Sequence, residues 1–234
     1  MIIINQTFAC SDLHGDGTLW DMIKDFLSSN DKLFFLGDAT DRGPDGWRIL
    51  KEMIADPRII YIAGNHDLML ADRIAYQNDY NKVNLHYSNG GRLTWIAAEN
   101  DPDIRKVMLF IRKMPLWTTY KNKNNLVIFM SHSGSTDIKN SHELVWDRNE
   151  YFTRFKPDKY DIVIHGHTTI PHLIKDLNHA NKFLPEDRQY QIQDWQGGAY
   201  WYHNFRCDLD CCTAKTNKIV LLNLDTFEEK IFSH

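Results

Sequence analysis

Five apolar runs in this chain each end in a cluster of Asp, His or Asn. "TFAC" runs into "SDLHG" (11–15), "KLFFLG" into "DATDRG" (38–43) and "RIIYIAG" into "NHD" (65–67). "NLVIFM" ends at "SHSG" (131–134), and "DIVI" ends at "HGHT" (165–168). A short apolar run rich in β-branched or aromatic residues reads as a buried strand. In α/β sheets, ligands bind beyond the carboxyl ends of the strands. Five buried strands with polar ends therefore point to one shared site.

Helical patterns separate the first three runs, such as the spaced apolar set Leu19, Met22, Ile23, Phe26 and Leu27. The pattern predicts strand at 6–11, helix at 16–28, strand at 32–37, helix at 45–55 and strand at 58–63. Such a β-α-β-α-β opening implies an α/β protein with parallel neighbours. Residues 66–114 read as helical, with a last helix opened by Pro102, reaching Met114 and stopped by Pro115. "LWTTY" adds a strand, and "KIVLLNLD" with "EEKIFS" reads as a hairpin turning near Asp225 and Thr226. Residues 178–204 read as a long loop followed by a strand. Their aromatics, Trp195, Tyr200, Trp201 and Tyr202, are expected to cover a sheet edge, a substrate-contacting flap being the lesser reading. With 234 residues and 43% apolar content, the chain supports one sizeable core and so a single domain over 1–234.

Bulk properties narrow the partners. A formal net charge of −4 with no basic stripe argues against nucleic acid. No apolar run approaches the roughly 20 residues that cross a bilayer. Met1–Ile4 is apolar without a basic n-region and reads as strand, not as a signal peptide. Four cysteines, three of them clustered near the C-terminus, make no evenly spaced disulfide framework, so reduced thiols in a cytoplasmic protein are expected. Cys207, Cys211 and Cys212 do not match the common C-x-x-C pairs of zinc sites, and Cys10 reads as a small buried hydrophobe.

The polar clusters themselves suggest metal chemistry. Asp12 and His14 are two apart, so in extended backbone both face one side and can grip one ion. The donors are oxygen and imidazole, a set suited to manganese, iron or zinc rather than to a thiolate zinc site. Asp38 is the natural bridge, because a carboxylate has two oxygens for two cations. Two-metal hydrolytic sites hold their ions about 3.5–4 Å apart and clamp both attacking and leaving oxygens. Asp45, at the head of the second predicted helix, suits the helix dipole.

Together, "SDLHG", "GDATDRG", "GNHD", "SHSG" and "GHT" resemble the phosphoprotein phosphatase family of calcineurin-like metallophosphoesterases, in particular its small bacterial and phage Ser/Thr protein phosphatases. That resemblance implies two packed mixed β-sheets flanked by helices, in α-β-β-α layers, with a metal pair at one edge. It implies Asp12, His14 and Asp38 on a first ion, and Asp38, Asn65, His132 and His167 on a second. It implies His66 as general acid oriented by Asp41, with Arg42 on the phosphoryl oxygens and Arg148 of "VWDR" as a second arginine. The cofactor expected is two divalent ions, Mn2+ first, with Fe or Zn as the others. The chain departs from the family pattern at Ser11 (usually Gly), at Asp67 (commonly Glu) and in "SHSG", where many relatives carry H-G-G. Thr169 stands where other metallophosphoesterases carry a further histidine, a loss typical of this branch. His165 matches no family position and reads as a core or supporting histidine.

The activity so implied is hydrolysis of phosphoserine or phosphothreonine in protein or peptide substrates, with phosphotyrosine a further option. Attack would come directly from a hydroxide bridging the two metals, without a phosphoenzyme. A symmetrical dinucleoside tetraphosphate hydrolase resembles the same family but usually alters the D-R-G segment, which is intact here. A non-catalytic binding module would be expected to have lost metal ligands, and none is missing from the pattern.

Overall fold

The computed structural model describes residues 5–149 and 152–234; Met1–Ile4, read above as strand, lie outside them. The first half alternates strands and helices: β1 (Thr7–Cys10), α1 (Gly17–Phe26), β2 (Lys32–Phe35), α2 (Gly46–Ala55) and β3 (Ile59–Tyr61). Four helices follow: α3 (Asn65–Ala75), α4 (Tyr80–Ser88), α5 (Arg92–Ala98) and α6 (Ile104–Ile111). Then come β4 (Trp117–Lys121), β5 (Val127–Ser131), α7 (Glu143–Trp146), β6 (Ile162–His165) and α8 (Ile170–Asn181). The chain closes with β7 (Tyr200–Tyr202), β8 (Arg206–Asp208), α9 (Thr213–Thr216), β9 (Lys218–Asn223) and β10 (Glu229–Ser233).

The strands form two five-stranded mixed sheets, ordered β10-β9-β1-β2-β3 and β4-β5-β6-β8-β7. The pairs β1·β2, β2·β3, β5·β6 and β6·β8 are parallel, and the others are antiparallel. Alternation along each strand sorts the side chains. In the first sheet Phe8, Cys10, Leu33, Phe35, Ile219 and Leu221 pack under the helices. Their neighbours Ala9, Phe34, Leu36, Val220 and Leu222 face the other way and join Ile128, Met130, Ile162 and Ile164 of the second sheet. Each fully buried aliphatic or aromatic side chain contributes about 1.5–3 kcal/mol relative to exposure. Phe129 and Val163, on the outer face of the second sheet, pack with Leu144 of α7.

Helix starts follow local chemistry. Asp16 caps α1, its side chain accepting from Leu19 N at 3.0 Å. Asp45 stands at the N-cap of α2 but makes no capping bond; its Oδ1 accepts from Arg48 Nε instead. The C-terminal hairpin turns through Asp225 and Thr226 as expected.

One expectation needs correcting. The loop expected at the start of 178–204 begins later, because α8 runs to Asn181 with Pro171 in its first turn and Leu173 and Leu177 buried, while the strand expected after it is β7. The three-residue strand β8 was too short to leave a readable pattern. The aromatics of this stretch do serve a sheet edge: Tyr200 and Tyr202 are buried on β7, the edge strand itself. Among the described residues no helix is long and apolar enough to cross a membrane.

Candidate active site

The parallel strands of both sheets end at one edge, and there the chain turns sharply. Asp12, His14, Asp38, Asp41, Arg42 and His167 all have φ between 46° and 71°. Non-glycine residues rarely occupy this left-handed region, and it clusters at functional sites. Backbone bonds zip the first two loops together: Asp12 N to Gly37 O (3.1 Å), His14 N to Asp38 O (3.0 Å) and Gly15 N to Ala39 O (2.9 Å). Asp67 ties in the third loop, its Oδ2 accepting from both Asp38 N and Gly64 N at 3.0 Å. Burial and the nearby Asp38 push the Asp67 carboxyl up to about 7. Gly64 is required here, since a Cβ would overlap the Asp38 carboxylate.

Asp38 is the hub. Its Oδ2 lies 3.3 Å from His132 Nε2, 3.9 Å from His66 Nε2 and 4.0 Å from His14 Nε2, while its Oδ1 accepts the His66 backbone N–H at 3.0 Å. His132 Nε2 also lies 3.0 Å from Asn65 Oδ1, and Asp12 Oδ1 is 3.7 Å from His14 Nε2. Asp12 Oδ2 accepts from Ser11 Oγ and from the His167 backbone N–H (3.1 Å), linking the two sheets. The small Ser11 thus fits and contributes a bond. Two compact donor groups share Asp38: one with His14 and His66, the other with His132 and His167.

The geometry fits cations. His14 Nδ1 donates to Thr40 O (3.1 Å) and His132 Nδ1 to Leu36 O (2.6 Å), which turns each Nε2 toward the acids. His167 Nε2 donates to Trp146 O (3.3 Å), leaving Nδ1 for a cation. Burial opposes charge on Asp38, but His132, His66 and His14 together hold its carboxyl well below the usual range. Burial likewise opposes charge on His132, yet Asp38 outweighs it and drives His132 up to about 10. Asp38 thus draws positive charge toward it, and a divalent cation held by these donors would supply it.

Beside the hub, His66 Nδ1 donates to Asp41 Oδ2 at 2.8 Å, and His66 Nε2 lies 3.4 Å from Arg42 Nη2. Burial would lower the His66 pKa, but Asp38 and the Asp41 bond reverse it, and the net shift is upward. Arg148 is exposed, two residues past Trp146. Its charge acts on His167, whose pKa burial first, then His132 and Arg148, hold well down. A groove of about 390 Å³ opens from His14 and Arg42 past Thr18, Pro44 and Asp45.

His165 lies in the wall. Its Nδ1 donates to Gly166 O (2.9 Å) and its Nε2 accepts from Tyr202 OH (2.5 Å), and burial drives it down to about 3. Cys10, Cys207 and Cys211 are buried free thiols. Three partners of the Asp41–Arg42 turn were not legible from the clusters. Asp41 N donates to Thr94 Oγ1 (2.9 Å), Arg42 N to Gly90 O (3.0 Å), and His86 Nε2 to Asp41 Oδ1 (3.0 Å). The "NGG" turn at 89–91 was the available signal.

A fold of two packed mixed sheets carrying Asp and His at their shared edge defines a metallophosphoesterase. The calcineurin-like phosphoesterase family model matches residues 7–171, and the chain belongs to that family. It is 27% identical over 153 residues to a symmetrical bis(5'-nucleosyl)-tetraphosphatase of Wigglesworthia glossinidia brevipalpis, covering 64% of this chain and 49% of that protein. It is also 27% identical over 122 residues to the namesake of Delftia acidovorans, covering 52% and 40%. The chain thus spans half or less of the curated relatives it matches. Among solved structures, a candidate diadenosine tetraphosphatase is similar with a TM-score of 0.62 at 16% identity, covering 99% of this chain and 94% of that one. A Saccharomyces cerevisiae protein serine/threonine phosphatase is similar with a TM-score of 0.54 at 12% identity, covering 98% and 80%. These structural likenesses speak to the fold.

Proposed function

We propose that the protein is a dinuclear metal-dependent phosphatase of the phosphoprotein phosphatase type, removing phosphate from phosphoserine or phosphothreonine in proteins. The observation that carries this reading is His66, whose Nδ1 is fixed by Asp41 while its Nε2 stands beside Asp38 and Arg42. A seryl alkoxide is a poor leaving group, and a placed proton donor is worth ~10²–10⁴ in rate.

Asp12, His14 and Asp38 would hold one cation, and Asp38, Asn65, His132 and His167 the other, with Mn2+ the first choice. Bound there, the ions neutralise the phosphate dianion and acidify water. The chain's own groups do the rest. The Arg42 guanidinium, and that of Arg148 swung inward from the rim, grip phosphoryl oxygens bidentately. His66 Nε2 delivers a proton to the leaving oxygen, and Asp41 keeps the imidazole in line and favours its charged form. Four free cysteines suit a cytoplasmic setting.

A second reading, symmetrical dinucleoside tetraphosphate hydrolysis, is favoured by the names of both curated relatives. Its leaving group is a nucleoside diphosphate, which needs little help from an acid. Assaying a phosphoserine peptide and diadenosine tetraphosphate side by side in Mn2+ separates the two. The first reading expects the higher kcat/KM on the peptide. ADP as the faster product reverses the order.

A further inference from the structure

His86 of α4 is fully buried and lies outside the clusters that ring the hub. Its Nε2 donates to Asp41 Oδ1 at 3.0 Å, while His66 Nδ1 donates to Asp41 Oδ2 at 2.8 Å. The Asp41 carboxylate is thus clamped between imidazoles from two helices, α3 and α4. One bond alone would leave the carboxylate free to rotate about its Cβ–Cγ axis. Two bonds fix its plane and so fix the direction in which Oδ2 meets His66. Among the described residues His86 Nδ1 has no hydrogen-bond partner, so a proton there would be stranded. The tautomer with its proton on Nε2 is the one Asp41 requires. Gly91 makes room for this ring, since a Cβ there would overlap the His86 imidazole.

We propose that His86 is a positioning residue that acts through Asp41 to aim the His66 imidazole at the leaving oxygen. This rests on the reading of His66 as the proton donor. His86 touches neither substrate nor cation, so its removal should be felt only when the leaving group needs a proton.

The test compares His86→Phe, which keeps bulk but lacks the donor, with Gly91→Ala, which displaces the ring from outside, and with His66→Asn. The Mn2+-loaded enzymes are assayed on p-nitrophenyl phosphate and on a phosphoserine peptide. Both variants are expected to lower kcat on the peptide about tenfold or more while leaving KM and the aryl rate within about threefold, because only the alkyl leaving group needs the acid. In a His66→Asn background, His86→Phe should cost nothing further. In metal-free protein, the His66 Nδ1–H proton resonance, identified by its absence from His66→Asn, should shift or broaden in His86→Phe. Should His86→Phe fail to fold, Gly91→Ala carries the same readings. Equal losses on both esters, losses that add to His66→Asn, or an unmoved resonance overturn the proposal. If His66→Asn is itself indifferent to the leaving group, the proton-donor reading falls and takes this one with it. If His66→Asn discriminates and the His86 and Gly91 variants do not, only the role of His86 falls.

Discussion

Asp41 Oδ2 and His66 Nδ1 lie 2.8 Å apart, with the acid fully buried and the imidazole only 3% exposed. A buried carboxylate so placed has one task that solvent cannot perform for it, which is to hold a ring. Asp41→Asn, which can present an amide N–H to the ring, is therefore expected to lower kcat on alkyl phosphates by ~10²–10⁴. Hydrolysis of p-nitrophenyl phosphate should change little. Rates on the two ester types, measured on one preparation, check this, and parallel losses would remove Asp41 from proton delivery.

Cations should stabilise the fold as well as enable the chemistry. Asp12 and Asp38 are nearly fully buried, and both donor groups converge on Asp38. A ligand that binds only the folded state at 100 times its Kd adds about 2.7 kcal/mol. Mn2+ should raise Tm by several degrees, chelation should abolish activity, and Asp38→Asn should lose most of the thermal shift. An unchanged Tm across a Mn2+ titration would count against the cation site.

Arg42 stands 3.4 Å from the His66 ring and at the mouth of the groove. Arg42→Lys keeps the charge but loses the planar fork, and a lost hydrogen bond to a charged group is worth about 1.5–3 kcal/mol. A fall in kcat/KM of roughly ten- to a hundredfold follows from that range. Arg148→Ala should cost less, because Arg148 stands at the rim and must swing inward to reach the phosphoryl group, whereas Arg42 already lies beside the proton donor. Wild-type kcat/KM in Arg42→Lys would show that charge alone suffices.

Away from the site, Asp101 accepts from Lys51 Nζ at 2.7 Å and from Trp47 Nε1 at 2.8 Å. The Lys51 bond, then the Trp47 bond, bring its carboxyl down from 3.8 to about 2. A folded pKa below the unfolded value means stabilisation that is present above pH 3.8 and lost as pH falls through about 2. Solvent screens the pair, so the contribution at pH 7 is about 0.5–1 kcal/mol. Asp101→Asn should cost that much in urea unfolding at pH 7, and the difference should shrink below pH 4. A penalty independent of pH would point to packing instead.

The legible parts of this protein were those with dense local signals. Apolar runs with polar ends marked β1, β2, β3, β5 and β6, and the same ends supplied Asp12, His14, Asp38, Asn65, His132 and His167, which the structure brings to one edge. What stayed hidden depends on long-range packing. His86 and Thr94 reach Asp41 across 45 and 53 residues of chain, and neither carries a spacing that announces it. Strand β8 is three residues long and is held by its place between β6 and β7. The role of Asp67 was equally unreadable, because it lies in which backbone N–H groups its carboxylate collects.

The left-handed turns at Asp12, His14, Asp38, Asp41, Arg42 and His167 carry an evolutionary consequence. Each such conformation costs an L-residue about 1 kcal/mol that glycine would not incur. A library of variants selected for heat resistance alone, with no demand for turnover, should drift toward glycine first at Arg42, which has the least buried side chain of the six. Thermal robustness and chemical competence compete for the same six backbone positions.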